Sequence, residues 1–221
     1  MQVAALEGHR IWSRTYDSGP NPLLALEMRV LGGLLPRMDG RRVVDVACGT
    51  GRWMSYARSR GAKVVGVDLC HEMLVQAVSK PGLAGSVALG SAERLPVADG
   101  VADIVLCSFA LGYMPLAVMG EMARIAAPGS MVVVSDLHPE AVAAGWTRSF
   151  RAGDVVYEME HAAYSIAEIL EAGAGLDLVQ QPASVCFGEP ERELFFNAGK
   201  GHLFAAVAGI PAVWIGIWTR R

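Results

Sequence analysis

Short apolar runs alternate with amphipathic segments five times between residues 43 and 135, and this rhythm restricts the chain to few folds. Val43–Ala47, Lys63–Val67, Val87–Leu89, Ala102–Cys107 and Met131–Ser135 read as strands. Arg52–Arg60, Glu72–Ser79 and Leu116–Ala127 read as helices, closed by Gly61, Pro81-Gly82 and Pro128-Gly129. Strands joined through helices form right-handed βαβ units, and these build a parallel, doubly wound sheet. Such a sheet is buried on both faces, so its strands read as continuous apolar runs. A hydrophobic content of 52% suits that demand.

The flanks extend the pattern. Asn21-Pro22 opens a helix, with Asn as N-cap and Pro at the first helical position. Leu24, Met28, Leu31 and Leu35 follow at helical spacing, and Pro36 ends the run. Residues 1–36 are therefore expected as a helical cap. Beyond Asp136 the alternation loosens, and 137–164, with a strand at Val155–Met159, reads as a lid inserted after the fifth strand. Ser165-x-x-Glu168 is a capping box for a helix that Gly173 closes. Leu176–Cys186 holds a sixth strand and Val213–Trp218 a seventh, with Glu191–Val207 helical between them. The last two strands are expected to make the antiparallel end of the sheet, and the alternation in Val213–Trp218 suits a half-covered edge. The prediction is a single α/β domain over 1–221 with a seven-stranded, mostly parallel sheet.

Charge excludes some partners. The net charge is −3, and no Lys/Arg cluster exceeds a pair, whereas nucleic-acid binders need a basic surface. Cys48, Cys70, Cys107 and Cys186 form no Cys-x-x-Cys pair, so no metal site and no disulfide framework is expected. The uncharged stretch Leu203–Trp218 is short for a membrane span and is interrupted by Gly209 and Pro211. The expectation is a cytoplasmic protein, monomer or homodimer, without a membrane or nucleic-acid partner.

The chemistry concentrates at Val43-Val44-Asp45-Val46-Ala47-Cys48-Gly49-Thr50-Gly51. Two glycines after a buried strand allow a tight turn and close approach of a ligand. Nicotinamide dinucleotide enzymes use a similar device, but their fingerprint has a third glycine where this chain has Met54. Asp45, just ahead of the turn, would repel a pyrophosphate and attract a cation. Asp68, ending Val64–Val67, can accept two ribose hydroxyls.

The turn resembles the first motif of class I S-adenosylmethionine-dependent methyltransferases of the small-molecule, type 11-like branch. Gly66-Val67-Asp68-Leu69 with Glu72-Met73-Leu74 resembles the second motif, and Gly90–Pro96 the segment that holds the adenine. Ala102–Ser108 and Glu121–Gly129 resemble the fourth strand and the helix and turn before the fifth. The match runs from about residue 40 to 137 in the family's order. Ala47 stands where the family has its first glycine, and Val97 with Val101 or Ala102 where it has aromatics.

The resemblance implies a Rossmann-like methyltransferase fold and S-adenosylmethionine as cofactor, released as S-adenosylhomocysteine. It implies that Asp45, Ala47, Cys48, Gly49 and Gly51 surround the amino-acid end of that cofactor. Asp68 would hold the ribose, Leu69 and Met73 would pack on the adenine, and Ser91, Ala92 and Glu93 would lie at its edge. Ser108 and Phe109 would line the path to the acceptor, and Tyr16 would close over the cofactor carboxylate. The expected reaction is in-line methyl transfer to O, N or C of a small, fairly apolar acceptor under the lid. A non-catalytic cofactor-binding scaffold and an NAD-type oxidoreductase stand as alternatives.

His138 follows the fifth strand, where strand carboxyl ends face the ligand crevice. It either deprotonates the acceptor or orders the lid through a hydrogen bond. Trp146 and Phe150 read as lid core more than as an aromatic wall.

Overall fold

The computed structural model describes residues 1–221. The chain forms β1 (Gln2–Val3), α1 (Ala5–Trp12), α2 (Pro22–Leu34), β2 (Arg42–Val46), α3 (Arg52–Arg58), β3 (Lys63–Asp68), α4 (His71–Val78) and β4 (Val87–Leu89). It continues with β5 (Ala102–Ser108), a 3-10 turn at Leu111–Tyr113, α5 (Val118–Ile125), β6 (Ala126–Leu137) and α6 (Pro139–Ala143). The last third holds β7 (Ser149–Ala152), β8 (Val155–Met159), α7 (Ile166–Ala172), β9 (Leu176–Leu178), β10 (Ala183–Val185), α8 (Glu189–Asn197), α9 (Gly201–Val207) and β11 (Val213–Arg220).

The main sheet runs β10-β11-β6-β5-β2-β3-β4, with β9 also paired to β11. Strands β4, β3, β2, β5 and β6 are parallel, and β11 turns antiparallel along β6. This is the doubly wound, mostly parallel arrangement that the alternation predicts. The order reverses between β2 and β5, and ligands bind outside strand carboxyl ends at such a switch point.

Each face carries its own core. Val43, Ile104, Leu106, Val133 and Ile215 pack with Leu26, Trp53 and Met54 on one side. Val44, Val105, Val132, Val134, Trp214 and Trp218 pack with Met119, Met122 and Ile169 on the other. β2 shows why its apolar run is unbroken: successive residues feed opposite cores.

Two expectations change at the carboxyl end. The sixth strand is two short ones, β9 and β10, which pair with opposite ends of β11. β11 is therefore interior and buried on both faces, not a half-covered edge. Its alternation is one of size: Trp214 and Trp218 lie on one side of Val213, Ile215 and Ile217, and Gly216 leaves room for the Trp218 ring.

The 137–164 segment also differs from a simple lid. β7 and β8 form a hairpin, and β1 adds to β8 in parallel, so the N-terminus completes a separate three-stranded sheet. Trp12 of α1 stacks on Phe150 at 4.9 Å, and Phe150 on Tyr157 at 5.3 Å. The hairpin thus fastens α1 down, and α1 covers the strand ends.

Candidate active site

The site grows from the end of β2. Ala47, Gly49 and Gly51 all take positive φ, of 54°, 54° and 75°. Glycine adopts that geometry freely, while Ala47 accepts a strain of roughly 1 kcal/mol. The turn is pinned from the next strand. Asp68, at the end of β3, accepts hydrogen bonds from the backbone N–H of Gly49 and of Cys70, each at 2.7 Å. Gly66 explains how Met54 is tolerated: a Cβ there would collide with the Met54 sulfur and Cys48. Close helix–strand contact comes from a glycine on the strand instead of one on the helix.

These elements enclose a cavity of about 220 Å³. Its wall includes Tyr16, Asp45, Ala47, Cys48, Gly49, Asp68, Leu69, Met73, Ser91, Ala92, Glu93, Ser108 and Phe109. Gly51 does not reach the wall. It serves the turn, because any Cβ there would press on Leu83 and Ala77. The segment 83–97, poor in regular structure, meets α4 at the wall through Ser91, Ala92 and Met73.

Burial shapes the electrostatics. Asp45 is only 2% exposed. Burial pushes its pKa up to about 8; the nearby Arg52 pulls against this, and the charges of Asp68 and Glu27 reinforce it. Asp68 is also raised by burial, with the N–H groups of Cys70 and Gly49 opposing. Two acids in an apolar-walled cavity that resist ionisation mark a place where a cationic ligand would be welcome. Tyr16 is raised by burial too, so its phenol stays a hydrogen-bond donor. The neighbouring Asp17 ties this segment over the turn, accepting from Thr50 Oγ1 at 3.1 Å and pairing with Lys80 at 2.8 Å.

Behind the wall lies a hub that sequence reasoning missed. Glu27 of α2 is 0% exposed. It accepts from Arg52 at 2.5 Å, the Trp53 indole at 3.2 Å and Ser108 Oγ at 2.6 Å, and from Ser135 Oγ. Arg52 also donates to Ser108 Oγ at 2.9 Å. Its other terminal nitrogen, Nη1, is buried with no partner, and Arg52 lines the cavity. The signal was present in α2: a carboxylate one position from Met28 and four from Leu31 interrupts the apolar stripe.

A second buried pair braces the 109–114 stretch of the wall. Asp136 accepts from the Gly112 N–H at 2.8 Å and pairs with Arg148, which donates to the Phe109 carbonyl at 2.9 Å. Phe109 holds a positive φ of 51°, and this network maintains it. Tyr113 and Met114 then face the cavity. Asp103, at the opposite end of β5, is structural: it binds the Arg42 N–H and guanidinium, which hold its carboxyl down at about 2.

His138 lies outside the cavity wall. It is buried and caps α6, with Nδ1 accepting from the Glu140 N–H at 3.2 Å. Nε2, which then carries the proton, meets Ser184 Oγ at 3.0 Å. Both ring nitrogens are thus hydrogen-bonded within the fold, as the lid-ordering alternative expects, and the ring does not line the cavity. His138→Ala should cost about 1 kcal/mol in a denaturation midpoint and leave ligand binding in the cavity unchanged. No residue of 137–164 lines this cavity; Ala5, Leu6 and His9 of α1 do. The hairpin spends its apolar faces on α1, and α1 takes the covering position. Trp146 stacks on Phe187 at 5.8 Å, away from the site.

Comparison with known proteins agrees with this geometry. Residues 44–134 match the family model described as "Methyltransferase domain". A demethylmenaquinone methyltransferase of Deinococcus radiodurans is 31% identical over 186 residues, covering 80% of this chain and 75% of that protein. A malonyl-[acyl-carrier protein] O-methyltransferase of Pectobacterium atrosepticum is 36% identical over 107 residues, covering 47% of this chain and 42% of the relative. Two other curated relatives are matched over 25% and 54% of their length, so the chain spans about half or less of several relatives. The crystal structure of an S-adenosylmethionine dependent methyltransferase from Mesorhizobium loti superposes with a TM-score of 0.69 at 19% identity, covering 88% of this chain and 98% of that one. No helix is long and apolar enough to cross a membrane.

Proposed function

The chain belongs to the class I S-adenosylmethionine-dependent methyltransferase family, and from that premise we propose that it transfers a methyl group from S-adenosylmethionine to a small, mostly apolar acceptor. The observation that carries this reading is a pair of buried, opposite groups on one cavity wall: the Asp45 carboxyl and the partnerless Arg52 Nη1. A zwitterionic amino-acid group has an ammonium for the first and a carboxylate for the second. A pyrophosphate has nothing to offer Asp45.

The other residues fit the rest of that ligand. Asp68 keeps lone pairs free beyond its two backbone donors and would take the ribose hydroxyls. Met73 is buried and Leu69 is 55% exposed, so the two would sandwich an adenine between core and surface. Ser91, Ala92 and Glu93 would meet its edge, and the Tyr16 phenol would donate to the carboxylate.

Bound there, adenosylmethionine supplies a methyl carbon that its sulfonium has already activated. The chain then needs only to hold the acceptor in line and keep water out. Alignment of this kind lowers barriers by several kcal/mol, about 7–11 at best. Phe109, Tyr113, Met114 and Leu6 give the acceptor an apolar wall. A quinone-type acceptor, as in the name of the Deinococcus radiodurans relative, would suit such a wall.

Calorimetric titration with S-adenosylmethionine and, separately, with NAD tests the reading. Micromolar binding of the first and none of the second is expected; the reverse would overturn it. Asp45 adds a sharper signature. A carboxyl held near 8 is mostly protonated at pH 7, and a bound ammonium favours its ionised form. Binding at pH 7 should therefore release nearly one proton, seen as a dependence of the binding heat on buffer. Asp45→Asn should abolish it. The same shift destabilises the free protein as pH rises. A raised folded pKa contributes stability below the ordinary value near 4, and that contribution is lost as pH climbs through about 8.

A further inference from the structure

His9 presents the one imidazole in the cavity wall, and nothing in the motifs pointed to it. It sits on α1, two turns of chain away from any recognised motif, in a segment whose mixed composition announces no function. Three observations bear on its chemistry. Its Nδ1 lies 2.8 Å from the Ala5 carbonyl oxygen, which can only accept, so Nδ1 carries the ring proton. In the neutral ring Nε2 is then a bare lone pair, and no protein group hydrogen-bonds to it. The ring edge packs on Tyr113 at 4.9 Å and an interplanar angle of 90°, which fixes its plane against the acceptor side of the cavity.

We propose that His9 is the general base of this protein and that its acceptors carry a proton at the reacting atom: a hydroxyl, an amine or a carbon acid, not a carboxylate. The proposal rests on the methyl-transfer reading above and narrows its substrate class. As the acceptor X–H bond breaks, the X–CH₃ bond forms and the proton passes to His9 Nε2. The S–CH₃ electron pair stays on the sulfur, so charge and atoms balance without a further reactant. A carboxylate acceptor has no proton to lose and would make a lone imidazole in this wall superfluous.

The surroundings keep the imidazole in its basic form. Burial pulls its pKa below the ordinary 6.5, and Arg148 adds to this; the Ala5 carbonyl and Asp68 oppose it. The other titratable groups nearby are Tyr113 from the 3-10 turn, whose phenol burial raises, Tyr16, Glu72 of α4, and Glu7 and Arg10 on α1 itself. Glu72 is occupied with Arg10 at 3.7 Å, so no carboxylate hydrogen-bonds to His9 and none turns it into a fixed ion pair. His138, by contrast, has both nitrogens engaged.

The test uses the full chain loaded with S-adenosylhomocysteine and two probes of one shape, 2-naphthol and 2-naphthoate. Nitrogen-detected histidine NMR should show His9 protonated at Nδ1, bare at Nε2 and titrating below 6.5. Naphthol, a donor, should bind at least about tenfold more tightly than naphthoate, the strength of one added hydrogen bond. His9→Gln and His9→Phe should erase that preference while binding S-adenosylhomocysteine as wild type does. A proton at Nε2, naphthoate bound as well as or better than naphthol, or an undiminished preference in both variants would overturn the proposal. Failure of S-adenosylhomocysteine itself to bind wild type would instead strike the methyl-transfer reading, and this inference with it.

Discussion

Glu27→Ala should destabilise the free protein by about 3–5 kcal/mol, the range for stripping one partner from a buried ion pair. The carboxylate is fully buried, and its removal takes away the salt-bridge partner of Arg52. It also strips the acceptor from the Trp53 indole and from the Ser108 and Ser135 hydroxyls. For a domain of this size each kcal/mol lowers Tm by about 2–4 °C, so a fall of roughly 6–20 °C is expected in a thermal melt. The double variant Glu27→Leu with Arg52→Met should recover part of the loss, because two apolar groups leave no charge stranded. A single-variant loss below about 1 kcal/mol would mean that Arg52 is solvated and that the hub is not a folding element. Arg52 faces the cavity, so the hub joins stability to binding. Any ligand that supplies an anion to Nη1 should raise Tm of wild type by mass action.

Asp68→Ala should weaken S-adenosylmethionine binding by about 10²–10⁴-fold. Two charge-assisted hydrogen bonds to ribose contribute about 1.5–3 kcal/mol each, and each 1.4 kcal/mol is a factor of ten. The carboxylate also holds the Gly49 and Cys70 N–H groups at 2.7 Å, so part of the loss would come through a slackened glycine turn. Asp68→Asn separates the two causes. An amide oxygen still accepts from one backbone N–H but is a poorer partner for a diol, so stability should largely return while affinity does not. Calorimetry gives the affinity and a melt of the unliganded variants gives the stability. Affinity within threefold of wild type in Asp68→Ala would remove Asp68 from the binding site.

Local signals were enough for the central frame. Each strand from β2 to β6 was marked by an apolar run and a turn, and each starts within a residue of its expected place except β6, which begins five residues early, at Ala126. There Gly129 takes a φ of 73° and the pairing with β5 slips between Ala102 and Ile104, so Pro128-Gly129 bends a strand instead of preceding one. The first turn of α7 likewise shows both halves of the box that Ser165 and Glu168 announce.

What the sequence by itself determined is whatever depends on neighbours in the chain: strand periodicity, the positive-φ turn at 47–51, the caps, and the two acids that end β2 and β3. Only the tertiary structure decided which side chains meet across long separations. Glu27 reaches Ser135 over 108 positions, β1 joins β8, and α1 rather than 137–164 covers the cavity. The two histidines show the reason most plainly. Their roles follow from what each ring nitrogen touches: for His138 a helix N-terminus and Ser184, for His9 its own helix's carbonyl and an open cavity. A hydrogen-bond partner is a fact of three-dimensional packing, and residue type with local spacing carries no record of it.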